Sequence, residues 1–311
     1  MLTESVLIGL LMTIPTWAGL ENSIVLDQAQ DVQHVSKIQE TKAAAKEEST
    51  GPTKTSNSLG IKVTAESALV VDRDSKQVLF SKNPDDVRAM ASITKVMTAI
   101  VALESAKDLE ATVTIDPELT RLEGGKIKLL SGEEITLYDL ICGALIASGN
   151  DAASAVGKYV GGGDMDVFVE MMNTKAKEIG MNHTQFRNPS GLDEDGQITS
   201  TRDLAIMFDY ALKNEKFREI IGMRHAEAHA LNVDKIHYFN NTNKLLRDTY
   251  SYMKGGKTGF TDNAGFCLIS VSGHSAQDEI ITVVLGSDLS GNQFQDSKAL
   301  IEWTYDNFEW K

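Results

Sequence analysis

The stretch Ser92-Ile93-Thr94-Lys95-Val96-Met97-Thr98-Ala99-Ile100-Val101 is the most informative part of this 311-residue chain. Its apolar residues recur at helical spacing, which predicts a helix over residues 92–103 with one buried face. On such a helix, the hydroxyl of Ser92 and the amine of Lys95 share one face within reach of each other. The pair suits a serine nucleophile with a lysine base, provided that burial and nearby positive charge let the ammonium lose its proton near neutral pH.

Two further polar clusters follow in order, Ser148-Gly149-Asn150 and Lys257-Thr258-Gly259. Each cluster alone recurs by chance, and the ordinary explanations are an N-cap at Ser92, a turn at Ser148 and the edge of a hairpin at Lys257. The ordered triple is far more specific. Together the clusters supply the groups that a serine acyl-transfer site needs without histidine.

Predicted strands lie at both ends of the folded region, and predicted helices lie between them. A hairpin is predicted from residues 67–72 and 77–80, and strands return over residues 226–231, 256–261, 265–271 and 280–285. This order predicts an α+β fold: an antiparallel sheet built from both ends of the catalytic region, with flanking helices and an inserted helical lobe. A cleft between sheet and lobe is the expected binding site.

Helix start signals mark the middle of the chain. Thr136-x-x-Asp139 resembles a capping box that opens a helix over residues 137–147, Asp151 begins another helix, and Asp164 can cap a helix over residues 165–179. Further helices are predicted over residues 201–213 and 294–308. The second cluster therefore joins two helices of the predicted lobe.

The amino-terminal residues differ in composition from the rest. Residues 1–24 contain an apolar stretch that is short for a bilayer span and ends near Thr16-Trp17-Ala18, an acceptable cleavage site, although no lysine or arginine precedes it. We expect a signal peptide or an N-terminal anchor, hence an extracytoplasmic protein, secreted or attached to the membrane or cell wall. Residues 25–60 are polar and predict a disordered linker, and residues 61–311 form the predicted catalytic domain.

Composition excludes several classes of function. The net charge of −14 argues against a nucleic-acid partner. The two cysteines, Cys142 and Cys267, stand among apolar residues and are predicted to be buried thiols. His225 and His229 flank Glu227 in the wrong order for a zinc motif. The sequence therefore predicts neither a metal nor a cofactor.

Over residues 60–308 the chain resembles the D-alanyl-D-alanine carboxypeptidases among the low-molecular-weight penicillin-binding proteins. The ordered triple is the motif set of these proteins and of class A β-lactamases. The flanking residues also match the family, and so do Asn188-Pro189-Ser190-Gly191-Leu192-Asp193 and Asn241-Thr242-Asn243-Lys244-Leu245-Leu246. The resemblance implies hydrolysis of the terminal D-Ala-D-Ala bond of peptidoglycan stem peptides through an acyl-enzyme on Ser92, with Lys95 as base. Penicillins and other β-lactam antibiotics would acylate the same serine.

Roles for the remaining residues complete this hypothesis. Ser148 is expected to pass a proton to the leaving amine, and Asn150 to hydrogen-bond both Lys95 and a substrate amide. The resemblance implies an oxyanion hole made by the backbone N–H groups of Ser92 and Phe260. Three residues would receive the substrate carboxylate, namely Lys257, Thr258 and Thr261, and Gly259 would leave room for the substrate backbone.

Two alternatives and one departure from the family stand beside this reading. A class A-like β-lactamase is the first alternative, because Glu194 lies in the loop before the third cluster. A catalytically silent wall-binding homologue is the second. Some relatives carry an arginine just after the last sheet strand, whereas this chain reads Leu285-Gly286-Ser287-Asp288. Recognition of the carboxylate is therefore expected to depend more on Lys257 and Thr258. Separately, any membrane association is expected to be N-terminal.

Overall fold

The computed structural model describes residues 51–311, and its central feature is a five-stranded antiparallel sheet. The strands are β1 (Thr53–Lys54), β2 (Ser67–Asp72), β3 (Val78–Lys82), β4 (Thr112–Thr114), β5 (Glu134–Thr136), β6 (His225–His229), β7 (Ile236–Asn240), β8 (Met253–Thr261), β9 (Gly265–Ser272), β10 (Ile280–Ser287) and β11 (Phe308–Glu309). The central sheet has the order β3-β2-β10-β9-β8. The amino-terminal hairpin thus joins the last long strands, and the predicted α+β fold is confirmed.

Helices fill the long connection between the two halves of the sheet. They are α1 (Lys95–Ser105), α2 (Leu137–Leu145), α3 (Asn150–Val160), α4 (Met165–Glu178), α5 (Thr201–Ala211), α6 (Glu215–Gly222), α7 (Lys244–Arg247) and α8 (Asn292–Asn307). The predicted caps are confirmed: the Thr136 side chain accepts from the Asp139 N–H, and the Asp164 side chain accepts from the Asp166 N–H. The sequence prediction missed the helices α6 and α7 and the short strands β1, β4, β5, β7 and β11.

Strand β10 reads as a continuous apolar run because both faces of the sheet are covered. Ile281, Val283 and Leu285 belong to the core shared with the helical lobe, whereas Ile280 and Val284 pack with α8 on the other face. Successive side chains of a strand point to opposite faces, so each core receives every second residue. The central sheet therefore separates two apolar layers.

The folded part starts earlier than the sequence predicted. Thr53–Lys54 pairs antiparallel with Phe308–Glu309, and the Trp303 indole N–H donates to Ser58 Oγ at 2.8 Å. The predicted linker boundary at residue 60 is therefore wrong for residues 53–60. These residues are polar, and their pairing uses backbone groups of a segment near the other end of the chain, which local composition does not reveal. The signal or anchor predicted for residues 1–24, and linker residues 25–50, lie outside the described residues.

The prediction for the two cysteines is also tested by the structure. Cys142 and Cys267 are free and buried, as predicted. Within residues 51–311, no helix combines the length and the apolar character that a membrane crossing requires.

Candidate active site

Ser92 and Lys95 meet at the junction of a turn and a helix. The predicted helix over residues 92–103 begins instead with a 3₁₀ turn, Ala91–Thr94, and α1 starts at Lys95. Lys95 Nζ lies 2.7 Å from Ser92 Oγ, as the three-residue spacing predicted. Ala91 has a φ of 49°, an unusual value for a residue with a side chain, and such strained backbone is often found at functional sites.

The surroundings of Lys95 suit an uncharged amine. The side chain is fully buried, and Nζ contacts Ser92 Oγ, the Asn150 side-chain carbonyl at 2.7 Å, and the backbone carbonyl of Ser190. Both carbonyls can only accept. A neutral amine therefore donates its two protons to them and turns its lone pair towards the Ser92 hydroxyl.

The electrostatic surroundings of Lys95 also favour the neutral amine. Burial is the largest cause that lowers the pKa of Lys95 well below its ordinary value, and the Lys257 ammonium lowers it further. The Asp151 carboxylate opposes the shift but is the smallest of the three influences. Both of the larger influences therefore favour the neutral amine that a base requires.

Ser148 stands between α2 and α3, where the sequence placed it, with a φ of 60°. Its Oγ accepts from Lys257 Nζ at 2.8 Å, and the same ammonium donates to the Thr258 carbonyl at 2.9 Å. Lys257 is 1% exposed, and burial lowers its pKa to about 7. The Lys257 head is turned towards Ser148 behind the cleft wall, and its role in receiving a substrate carboxylate stays a prediction.

Asn150 links the two halves of the site. Its Oδ1 accepts from Lys95, as predicted, but its Nδ2 donates to the Glu123 carbonyl at 2.8 Å. A Cβ at Gly124 would lie 2.7 Å from that nitrogen. At least one of the two amide protons of Asn150 is therefore used within the protein. The sequence suggested instead that this amide group would bind a substrate amide.

Gly259 is required by contacts within the protein. A Cβ at this position would lie 3.0 Å from the Met90 carbonyl oxygen and 3.2 Å from the Ser92 nitrogen. Strand β8 therefore approaches the Ser92 turn closely, and the space beside the Ser92 N–H stays open. Phe260 follows, 52% exposed and stacked on Phe266 with ring centroids 4.3 Å apart.

The two threonines of β8 have different partners. Thr258 Oγ1 lies 2.6 Å from Thr242 Oγ1. Thr261 Oγ1 donates to the Asp193 carboxylate at 2.7 Å, so a substrate carboxylate there would meet like charge. The expectation that Thr261 receives a carboxylate is therefore not supported by its surroundings.

These groups open into a cleft of about 380 Å³. Seven predicted site residues line it: Ser92, Ser148, Asn150, Thr258, Gly259, Phe260 and Thr261. Lys95 and Lys257 lie buried behind its wall. A larger cavity of about 610 Å³ lies between strand residues such as Leu69 and helix residues such as Ile206, and none of the predicted site residues lines it.

Sequence reasoning missed the contribution of one loop. The Ser190 carbonyl accepts from Lys95, and a Cβ at Gly191, where φ is 83°, would lie 2.0 Å from the Ala91 carbonyl oxygen. Asn188 Oδ1 shapes this loop by accepting from the Gly191 N–H at 2.8 Å. The Asn-Pro-Ser-Gly motif was visible in the sequence. The role of a backbone carbonyl could not be predicted from it, because that role does not depend on the type of side chain.

His225 and His229 lie on β6, away from the strands and helices that carry this site. His229 Nε2 is 3.5 Å from a Glu227 carboxylate oxygen, and both side chains are exposed. Within residues 51–311, no three His, Cys, Asp or Glu side chains come together in a way that would hold a metal ion.

Known proteins share this fold and sequence. The Streptomyces K15 DD-transpeptidase superimposes with a TM-score of 0.76 and 26% identity, covering 80% of this chain and 100% of that one. The D-alanyl-D-alanine carboxypeptidase DacF of Bacillus subtilis is 33% identical over 249 residues, which cover 79% of this chain and 63% of that protein. Residues 51–289 match the model of peptidase family S11, D-alanyl-D-alanine carboxypeptidase, and the chain belongs to this family.

A second relative gives the same coverage. The D-alanyl-D-alanine carboxypeptidase DacA of Haemophilus influenzae is 31% identical over 259 residues, or 79% of this chain and 63% of that protein. The chain thus spans somewhat less than two thirds of the length of these curated relatives.

Proposed function

We propose that this chain is a serine-type D-Ala-D-Ala carboxypeptidase that removes the terminal D-alanine from peptidoglycan stem peptides. The observation that carries the proposal is the contact of Lys95 Nζ with Ser92 Oγ at 2.7 Å, in a buried site where desolvation and the Lys257 ammonium lower the pKa of the amine. Membership of the family supports this choice of substrate class.

Acylation begins with a proton transfer from Ser92 to Lys95. Ser92 Oγ then attacks the carbonyl carbon of the peptide bond between the two D-alanines. The oxyanion that forms accepts hydrogen bonds from the backbone N–H groups of Ser92 and Phe260. Gly191 and Gly259 support this assignment, since neither carries a side chain that would fill the space beside the Ser92 nitrogen.

Collapse of the tetrahedral intermediate breaks the C–N bond, and the leaving amine needs a proton. Ser148 supplies it from its hydroxyl and is reprotonated by Lys257, whose ammonium lies 2.8 Å away. A pKa of about 7 suits a group that must give up and regain a proton at neutral pH. Lys95 then releases to solvent the proton that it took from Ser92, Lys257 regains one, and both groups return to their starting states. Water attacks the ester on Ser92 with the neutral Lys95 as base, its proton passes through Lys95 to the Ser92 oxygen, and the shortened peptide leaves with a free carboxyl group.

The proposed substrate class supports a location outside the cytoplasm, secreted or associated with membrane or cell wall. Penicillins present a strained amide to the same serine and would acylate Ser92. All of these steps use groups of this chain alone.

The geometry favours a carboxypeptidase over a class A-like β-lactamase. Glu194, the residue that would activate water in the alternative, accepts from Asn188 Nδ2 at 3.0 Å within its own loop and does not line the cleft with Ser92. Lys95 is in contact with both Ser92 and Asn150, which argues against a silent homologue.

Release of D-alanine from a pentapeptide, measured beside labelling with a fluorescent penicillin, tests the proposal. We expect the wild type to release D-alanine and to carry the label on Ser92, and Ser92→Ala to lose both. Ser105→Ala, at the exposed far end of the same helix, is the matched control and should retain both. Rapid penicillin turnover without D-alanine release would indicate a β-lactamase, and absence of both activities a silent homologue.

A further inference from the structure

The proposed substrate ends in a carboxylate, and the cleft must balance that charge. Lys257 is buried and donates to Ser148 and to the Thr258 carbonyl. The segment that ends the last long strand, Leu285-Gly286-Ser287-Asp288, contains no arginine. An accessible cation must therefore come from another part of the cleft.

Lys244 is the one charged residue among the described residues that line the cleft. Its side chain is exposed, and Nζ lies 5.9 Å from the centroid of the Phe294 ring, which also lines the cleft. A cation this close to an aromatic ring is attracted to the ring face. The ring thus helps to keep the ammonium over the cleft, where a ligand can reach it.

Two threonine hydroxyl groups line the same cleft as Lys244. Thr242, two residues before Lys244, faces Thr258 with 2.6 Å between the hydroxyl oxygens, and both residues line the cleft. One hydroxyl of such a pair donates to the other, and the proton of the second stays available for a ligand. An ammonium and a free hydroxyl proton are suitable partners for one carboxylate.

The neighbouring acidic groups are turned to other partners. Asp193 accepts from Thr261, and Asp288 accepts from Asn292 Nδ2 at 2.8 Å. Neither carboxylate lines the cleft. The charge of Lys244 is therefore not neutralised within the cleft wall.

We propose that Lys244 binds the free carboxylate of the leaving D-alanine, assisted by the Thr242–Thr258 hydroxyl pair, and so determines the preference for peptides with a free carboxyl terminus. The inference rests on the proposed function. It assigns carboxylate recognition to Lys244 and leaves Lys257 to the proton path through Ser148.

A pair of substrates that differ only at the carboxyl terminus tests this role. The probes are diacetyl-L-Lys-D-Ala-D-Ala and its C-terminal amide, and the measured quantity is the ratio of their kcat/KM values. We expect Lys244→Met to lower the ratio by about 10- to 100-fold, the usual effect of losing a hydrogen bond to a charged group, and Lys244→Arg to keep most of it. Lys298→Met removes the same charge from an exposed lysine of α8 that does not line the cleft, and should leave the ratio unchanged.

The outcomes separate the two proposals. An active wild type whose ratio is the same in Lys244→Met overturns the role of Lys244 alone, as does an equal loss in Lys298→Met. A wild type that cleaves neither peptide overturns the proposed function and this inference with it. Thermal unfolding of Lys244→Met shows that a changed ratio comes from a folded protein.

Discussion

Lys95 illustrates how position changes the chemistry of a common side chain. Its spacing from Ser92 was readable in the sequence, and so was the need for a nearby positive charge. The sequence did not show that Lys257 would supply this charge from inside the protein, nor that the Ser190 carbonyl would take one of the amine's protons. Both facts depend on segments that meet only in the folded chain.

Replacing Lys257 with methionine should change the pH dependence of acylation. The rate of penicillin acylation is expected to rise with pH as Lys95 loses its proton, because only the neutral amine accepts the proton of Ser92. The Lys257 ammonium lowers the pKa of Lys95, so its removal raises that pKa and moves the rise in rate to higher pH.

The second-order acylation rate, measured across the pH range, reports the midpoint of this rise. Lys254→Met is the matched control, since Lys254 lies on the same strand but pairs with Glu279. An unchanged midpoint in Lys257→Met would show that the two ammonium groups do not interact.

At the scale of elements, the loop of residues 188–197 acts as one wall of the site. Gln197 Oε1 accepts from the N–H groups of Arg187 and Asn188, and Asn188 in turn fixes the Gly191 N–H. The Pro189 carbonyl accepts from Thr98 Oγ1 at 2.7 Å, which ties the loop to α1. The position of the Ser190 carbonyl next to Lys95 follows from this frame.

Two glycines of this loop provide a matched pair of substitutions. Gly191 and Gly196 both have a φ of 83°, so alanine is strained at either position. A Cβ at Gly191 would lie 2.0 Å from the backbone oxygen of Ala91, whereas one at Gly196 meets only the movable guanidinium of Arg187. We expect both variants to lose similar stability, but only Gly191→Ala to lose about 100-fold in acylation rate through displacement of the Ser92 turn.

Melting temperatures and acylation rates of the two variants, measured together, distinguish strain from displacement. Equal rates in both would mean that the contact with Ala91 is accommodated without moving the nucleophile.

Local signals explain which elements the sequence could predict. Thr136 and Asp164 mark helix starts because their side chains accept from the N–H groups of the first turn, and β10 is visible because both of its faces are apolar. Helix α6 was missed although Asn214 caps it, since the segment is short and follows α5 closely. Thr53–Lys54 forms a strand through backbone pairing alone, which side-chain pattern does not record.

At the scale of the whole molecule, the fold depends on contacts between its two ends. Asp296 of α8 accepts from the N–H groups of Thr64 and Ala65 and from the Thr64 hydroxyl. Ser58 and Trp303 add a further link. The compact folded unit therefore includes residues that the sequence assigned to the linker.

A chain that begins at residue 61 should be less stable than one that begins at residue 51. The shorter chain lacks the pairing of Thr53–Lys54 with Phe308–Glu309 and the hydrogen bond from Trp303 to Ser58. We expect its free energy of unfolding to be lower by about 1–3 kcal/mol, the contribution of a few hydrogen bonds. Denaturant titration measures the difference, and penicillin labelling at low temperature should be the same for both. Identical unfolding midpoints would place the boundary where the sequence predicted it.

The order of the segments along the chain has a consequence for biosynthesis. Ser92 and Lys95 are made before Lys257 and Gly259, which belong to β8, more than 150 residues further along the chain. Until β8 and β9 are added, the buried environment that lowers the pKa of Lys95 is incomplete, and the hydroxyl beside it is an ordinary alcohol. Under the proposed function, a partly synthesised polypeptide would thus be protected from modification by a penicillin, and reactivity at Ser92 would mark a chain to which both strands have been added.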